Sequence, residues 1–425
     1  MRKVVVVGGG WAGCAAAYIA AKKGCEVDLL ERTDMLLGTG LVGGIMRNNG
    51  RFTATEESIS LGLGDIFQLI DANCLHSNIE FPGHKHASLY NIGVMEPEVM
   101  KALLDAGVKI HMQSRIKDVE MENGRIKQVF DAEKEAYPGD AFIDTTGTAG
   151  GINNCTKYGN GCAMCVLRCQ SFGGRISLTA RAGVEEMIGI RPDGSVGAMS
   201  GSCKLFKESL DPDVVKELDK TGVVVIAVPK DQIDTDKLSS KACQQYASQD
   251  YAENIILLNT GHAKLMSPFY PLELLRAIPG MENARYEDPY SGGIGNSMRY
   301  FGMAPRDDSL KVEGVDNLFC AGEKAGLLVG HTEAIVTGSL AGLNAARLTA
   351  DLEPVIFPET LAVGSAVTFV REEMKTEEGK GKKYTFSGAV LFEHMKDKGL
   401  YTTDIKQIRD RVKQTGLQDV IAEHI

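Results

Sequence analysis

Four cysteines crowd one short stretch. Cys155, Cys162, Cys165 and Cys169 are spaced C-x6-C-x2-C-x3-C. Three chemistries suit that pattern. In the first, the Cys162-x-x-Cys165 pair works as thiolates that exchange electrons or attack a substrate carbon. Arg168 and Arg175 would favour the anion. In the second, all four sulfurs hold a metal or an iron–sulfur cluster, although the spacings do not reproduce a ferredoxin run. In the third, the thiols are buried and structural. Lys157, Arg168 and Arg175 form either a positive rim for an acidic substrate or a solvated face. Cys14, Cys25, Cys74, Cys203, Cys243 and Cys320 stand singly and read as small buried hydrophobes.

Such thiols need a framework, and the start of the chain supplies one. Val4 to Val7 are four β-branched residues, as in a strand buried on both faces. Gly8, Gly10 and Gly13 follow as G-x-G-x-x-G, opening a small-residue helix. Gly8 permits the turn, Gly10 lets backbone approach a pyrophosphate, and Gly13 lets helix meet strand. A second strand, Val27 to Leu30, ends at Glu31, whose carboxylate can take the adenosine ribose hydroxyls. This is a dinucleotide-binding unit. Gly38, Gly40, Gly43 and Gly44 then mark an apolar loop that can lie along a flat ligand.

Further on, Ser58 to Asn73 reads as one helix, and the region of His76, His84 and His86 as a solvated loop with His84-x-His86 as a weak metal pair. A helix is predicted from Glu96 to Gly107, with Pro97 in its first turn. A strand at 108–114 and a hairpin turning at Asn123-Gly124 follow, and a strand at 141–147 ends in Thr145-Thr146-Gly147. In the middle segment, helices are predicted at 211–220 and 236–252, and a strand at 223–228. Leu318 to Gly322 is a strand followed by Glu323, and Gly330-His331-Thr332 opens an Ala/Gly-rich helix. Its small residues Gly338, Ala341, Gly342 and Ala345 are predicted to pack on the sheet.

These pieces resemble the FAD-binding fold of the glutathione-reductase type. The resemblance implies that Gly147 closes over FAD, that Gly322 and Glu323 reach its ribitol, and that Gly330 and Thr332 face the flavin's pyrimidine edge. It also implies that the cysteine cluster leaves this domain near the cofactor. The stretches Leu275–Ala284, Asn317–Gly322 and Glu333–Arg347 are similar to the glucose-inhibited division protein A family and its folate-dependent tRNA methyltransferase relatives. After residue 350 come 75 residues with 11 Lys/Arg against 13 Asp/Glu, in place of that family's long helical RNA-binding C-terminus.

Fold class is therefore α/β: a Rossmann-like FAD-binding domain of two segments (1–150 and 270–350), an inserted α+β substrate domain (151–269) and a short helical tail (351–425). A formal net charge of −10 gives no global pull toward nucleic acid or anionic membrane. No run approaches the roughly 20 apolar residues of a membrane span. The chain is expected to be cytoplasmic. Its expected function is an FAD-dependent oxidation or reduction of a small molecule, with Cys162 and Cys165 as redox thiols and His331 as general acid/base. NAD(P)H is a candidate transient donor, since no second G-x-G-x-x-G unit offers it a dedicated domain. Partners are the small molecule and either a second copy or a redox protein; nucleic acid is not expected. The alternatives are a folate- or flavin-dependent RNA-modifying enzyme and a non-catalytic flavin redox sensor or assembly subunit.

Overall fold

The computed structural model describes residues 2–148, 168–190, 194, 202–233, 235, 246–267, 270–287 and 302–422. Its centre is the predicted valine run. Strand β1 (Lys3–Val7) is flanked by β2 (Glu26–Leu30) and continues through helix α1 (Trp11–Lys22) between them. Strands β3 (Lys109–His111), β4 (Ala141–Asp144) and β5 (Leu318–Cys320) complete a parallel sheet in the order β5-β4-β1-β2-β3. Val4, Val5 and Val6 are wholly buried, as a strand covered on both faces requires.

Helix α2 (His331–Leu348) lies against α1. The helix also touches β4 and β5, and its glycines meet α1: a Cβ on Gly342 would fall 2.3 Å from the Ala16 carbonyl oxygen. Beside the sheet sits a three-stranded antiparallel insert, Ile116–Glu122, Arg125–Asp131 and Ala136–Pro138. Asn123 and Gly124 both take positive φ at its turn, as a two-residue hairpin demands.

Two readings of the polar stretches change. The predicted 58–73 helix is two helices, Gly50–Ser60 and Asp65–Ala72, parted where Gly62 takes φ +78. The supposed solvated loop around His84 is a hairpin of Cys74–Phe81 with His84–Tyr90, and His84 is buried in it. The next helix, Ile92–Asp105, begins a turn before Pro97, because Asn91 Oδ1 accepts from the Gly93 N–H and caps it.

The inserted segment builds an antiparallel sheet in the order Cys203–Leu205, Ala263–Leu265, Asn254–Asn259, Val223–Ala227. One face packs on its own core of Leu205, Leu218, Leu257, Leu265 and Leu275. The other sets Ile256, Leu258 and Met266 against Phe81 and Leu89 of the hairpin. The helix Pro212–Thr221 follows prediction, capped by Asp211 and ended by Gly222. Of the predicted 236–252 helix, the described part is helical at Asp250–Glu253.

The tail is helical: Ala362–Glu373, Ala389–Asp397 and Ile405–Gln414 are its longest elements. Buried Glu57 fastens it. Its carboxylate accepts from the Ala362 and Val363 N–H groups at 3.0 and 2.9 Å and from Arg411 at 2.8 Å. Among the described residues, no helix is long and apolar enough to cross a membrane.

Candidate functional site

The end of β1 is shaped by what its glycines lack. A Cβ on Gly8 would fall 2.6 Å from the Thr145 carbonyl oxygen, and one on Gly13 only 1.8 Å from the Gly8 oxygen. Thr145, standing where the resemblance has alanine, donates its hydroxyl to the Gly8 carbonyl at 2.6 Å and pins the turn to β4. Gly10 differs. A Cβ there would meet only the Leu37 oxygen, at 4.0 Å, so open space lies before the first turn of α1. That geometry admits an anion. Glu31 is buried at the end of β2, accepting from Gly9 N–H at 2.7 Å and from Thr33 N–H at 2.8 Å. Each oxygen keeps a lone-pair direction for a ribose hydroxyl. The residues present fit the adenosine diphosphate half of FAD.

The other half of the site gathers at the start of α2. His331 heads the helix, and its Nδ1 lies 3.2 Å from the Tyr90 hydroxyl. Burial pushes the Tyr90 phenol up, so it keeps its proton and stays a neutral hydrogen-bonding partner for Nδ1. The glycine loop closes on this group: a Cβ on Gly43 would fall 1.8 Å from His331 Cε1, and one on Gly40 2.4 Å from Trp11 Nε1. Gly330 sits at φ +142, where a side chain would strike Arg51 and Glu333.

Behind the histidine lies a buried polar network. Glu333 accepts from Arg51 Nε at 3.1 Å, from the Thr385 hydroxyl at 2.7 Å and from the Phe386 N–H at 2.8 Å. Arg51 reaches on to Asn48 at 3.3 Å, and Asn48 to His84 Nδ1 at 2.9 Å. Sequence reasoning missed Trp11, Tyr90, Arg51 and this network. Arg51 and Glu333 each stand in the first turn of a helix, and nothing in the sequence pairs them.

The remaining predicted positions divide. Gly322 takes φ +66 at the end of β5 and donates to Thr337, and half-buried Glu323 accepts from Thr148 at 2.8 Å across the β4 terminus. Gly147 takes φ +71 with the Arg175 guanidinium seated against it. Thr332 is buried and its hydroxyl points to Met46 Sδ at 3.9 Å, leaving its backbone as the part that can face a ligand. Cys169 is half-buried with a free thiol. Cys155, Cys162 and Cys165, with Lys157, lie outside the described residues. Arg168 pairs with Asp34 and lies 4.8 Å over the Phe172 ring, so its charge is already engaged. Among the described residues, no group of three or more His, Cys, Asp or Glu side chains could hold a metal ion. Cys14, Cys25, Cys203 and Cys320 are buried, and desolvation pushes Cys14 and Cys320 up, as inert core cysteines.

The family model described as glucose inhibited division protein A matches residues 3–267 and 250–353. In structure, the chain is similar to GidA of Aquifex aeolicus. One crystal form gives a TM-score of 0.66 at 16% identity, covering 98% of this chain and 73% of that one. A second form gives 0.58 at 16% identity, covering 99% and 78%. Curated relatives include the methylenetetrahydrofolate–tRNA-(uracil-5-)-methyltransferases of Bacillus cytotoxicus, 37% identical over 101 residues (23% of this chain), and Lysinibacillus sphaericus, 34% over 103 residues (24%). The chain covers 22% of the length of each of those relatives. These relatives act on tRNA, and they overturn the expectation that nucleic acid is not a partner. That expectation leaned on whole-chain charge and on the acidic tail, and neither describes the local field of a binding face.

Proposed function

The chain belongs to the glucose-inhibited division protein A family, and from that premise we propose that it is an FAD-dependent enzyme that modifies RNA. The observation that carries the reading is the extent of the family match, which takes in both the glycine turn at Gly8–Gly13 and the histidine-headed helix α2. Bound FAD supplies two-electron transfer at its ring system. The open face at Gly10 and the N–H groups of α1 hold the pyrophosphate, Glu31 takes the ribose, and Glu323 the ribitol. Positive charge at the start of α2 favours the anionic form of a ring placed there. His331, steadied at Nδ1 by Tyr90, serves as general acid/base. Arg175, against Gly147, places positive charge where the chain leaves β4 for the cysteine cluster. The reading assigns Cys162 and Cys165 thiolate chemistry on the target nucleotide.

The test is mass spectrometry of nucleosides from total RNA of a strain lacking the gene, before and after incubation with the FAD-loaded protein. The proposal expects one modified nucleoside to be lost in the deletion strain and restored by the protein. Identical nucleoside profiles, with no retention of RNA on the protein, contradict it.

A further inference from the structure

The inserted sheet carries a lysine pair where it meets the glycine loop. Lys204 and Lys264 are register partners on neighbouring strands, so their side chains share a face. His262, two residues before Lys264, lies within Coulombic reach of Lys204, Lys264 and Lys207. Opposite them stand two carboxylates: Glu287 pairs with His262 at 3.0 Å, and Asp219 with Lys207 at 2.6 Å. Neither touches Lys264. That ammonium is buried and donates to two neutral acceptors, the Val42 carbonyl and the Ser202 hydroxyl, each at 2.5 Å.

Charging a buried lysine that has no carboxylate beside it among the described residues is expensive, and fold stability alone does not call for one. Nearby, Thr260 Oγ1 is buried with no hydrogen-bond partner, and its methyl packs where a Gly44 side chain would be. The cluster thus adjoins the loop at Val42–Gly44, whose Gly43 lies against His331.

We propose that Lys204, Lys207 and Lys264 form an anion-binding subsite beside the glycine loop, which takes a phosphate group of the substrate. Lys204 and Lys207 stand at the rim, and Lys264 supports the field from beneath. Desolvation pushes Lys264 down to about 7, and Lys204 pushes the same way. A phosphate seated above would favour its charged form. The assignment rests on the RNA reading for the identity of the substrate, but the anion site itself does not.

The test uses the FAD-loaded protein, in which the cofactor fills the other phosphate-binding position. Inorganic phosphate is titrated calorimetrically at low ionic strength into the unaltered protein, Lys204→Met and Lys204→Arg. Saturable binding is expected, weakened at least tenfold in Lys204→Met and largely restored in Lys204→Arg. RNA binding by Lys204→Met should show a salt slope reduced by about one. Phosphate binding that depends on Lys204 in a protein that retains no RNA supports the subsite and removes the RNA reading. Absent phosphate binding, or equal affinity in Lys204→Met, overturns the subsite and leaves the RNA reading to its own experiment.

Discussion

Gly338 of α2 lies directly on the backbone of Ala12 in α1: a Cβ built on it would fall 2.2 Å from the Ala12 carbonyl oxygen. The helix that carries the anion-facing N–H groups and the helix headed by His331 are thus held at backbone contact. Neither can shift without moving the other half of the site. Gly338→Ala should therefore push the helices apart, with a loss of about 2–4 kcal/mol by overpacking. Urea unfolding checks this, and an unchanged midpoint would show that the contact is looser than described.

Asn317 joins β5 to the antiparallel insert. Its Oδ1 accepts from Ile126 N–H at 2.8 Å, and its Nδ2 donates to the Ile126 and Asp140 carbonyls at 2.8 and 3.1 Å, the two bonds to Ile126 in the interior. Asn317→Ala leaves buried backbone groups without partners, at about 1–3 kcal/mol. Asn317→Asp should be no better, since it keeps the acceptor and loses both donors. Thermal unfolding of the pair decides; an aspartate variant as stable as the parent would contradict the assignment.

His84 is buried between Phe81 and Tyr246, with ring centroids at 4.6 and 5.0 Å, and desolvation pushes it down to about 3. Its folded value lies below its unfolded value near 6.5. Below pH 6.5 the unfolded chain binds the extra proton, so stability falls with pH by up to about 1.4 kcal/mol per unit. His84→Gln keeps a polar partner for Asn48 without that titration. It should lose about 2 kcal/mol less than the parent between pH 7 and pH 5. Equal losses, measured by urea unfolding at the two pH values, would show that His84 is not held neutral.

Much of the cofactor domain was legible in the sequence because its signals are local. Val4 to Val7, the glycines after them and Glu31 occupy one βαβ unit, and each residue type answers a constraint within it. His84 was misread for the opposite reason. It lies among Asn78, Glu80, Lys85 and His86, a polar stretch by composition, and becomes buried only because the inserted sheet brings Tyr246 and Met266 over the hairpin. The split of the 58–73 helix was visible in Leu61-Gly62-Leu63-Gly64, but apolar periodicity on either side outweighed it. Lys264 looks like any surface lysine in its strand, and its burial follows from contact with Val42, 222 residues away.

The central claim is that an FAD pyrophosphate lies on the backbone at Gly10. Gly10 takes φ −68 and ψ −180, a conformation open to any residue, and its missing side chain would touch only one atom, at 4.0 Å. Gly10→Ala should therefore fold normally yet lose the close approach that the phosphates need. The decisive measurement is FAD affinity of the unaltered protein and Gly10→Ala by flavin fluorescence, with both melting curves recorded without cofactor. The account predicts superimposable melting curves and at least a tenfold weaker FAD affinity in the variant. Equal affinity, or an unaltered protein that takes up no FAD, would contradict it.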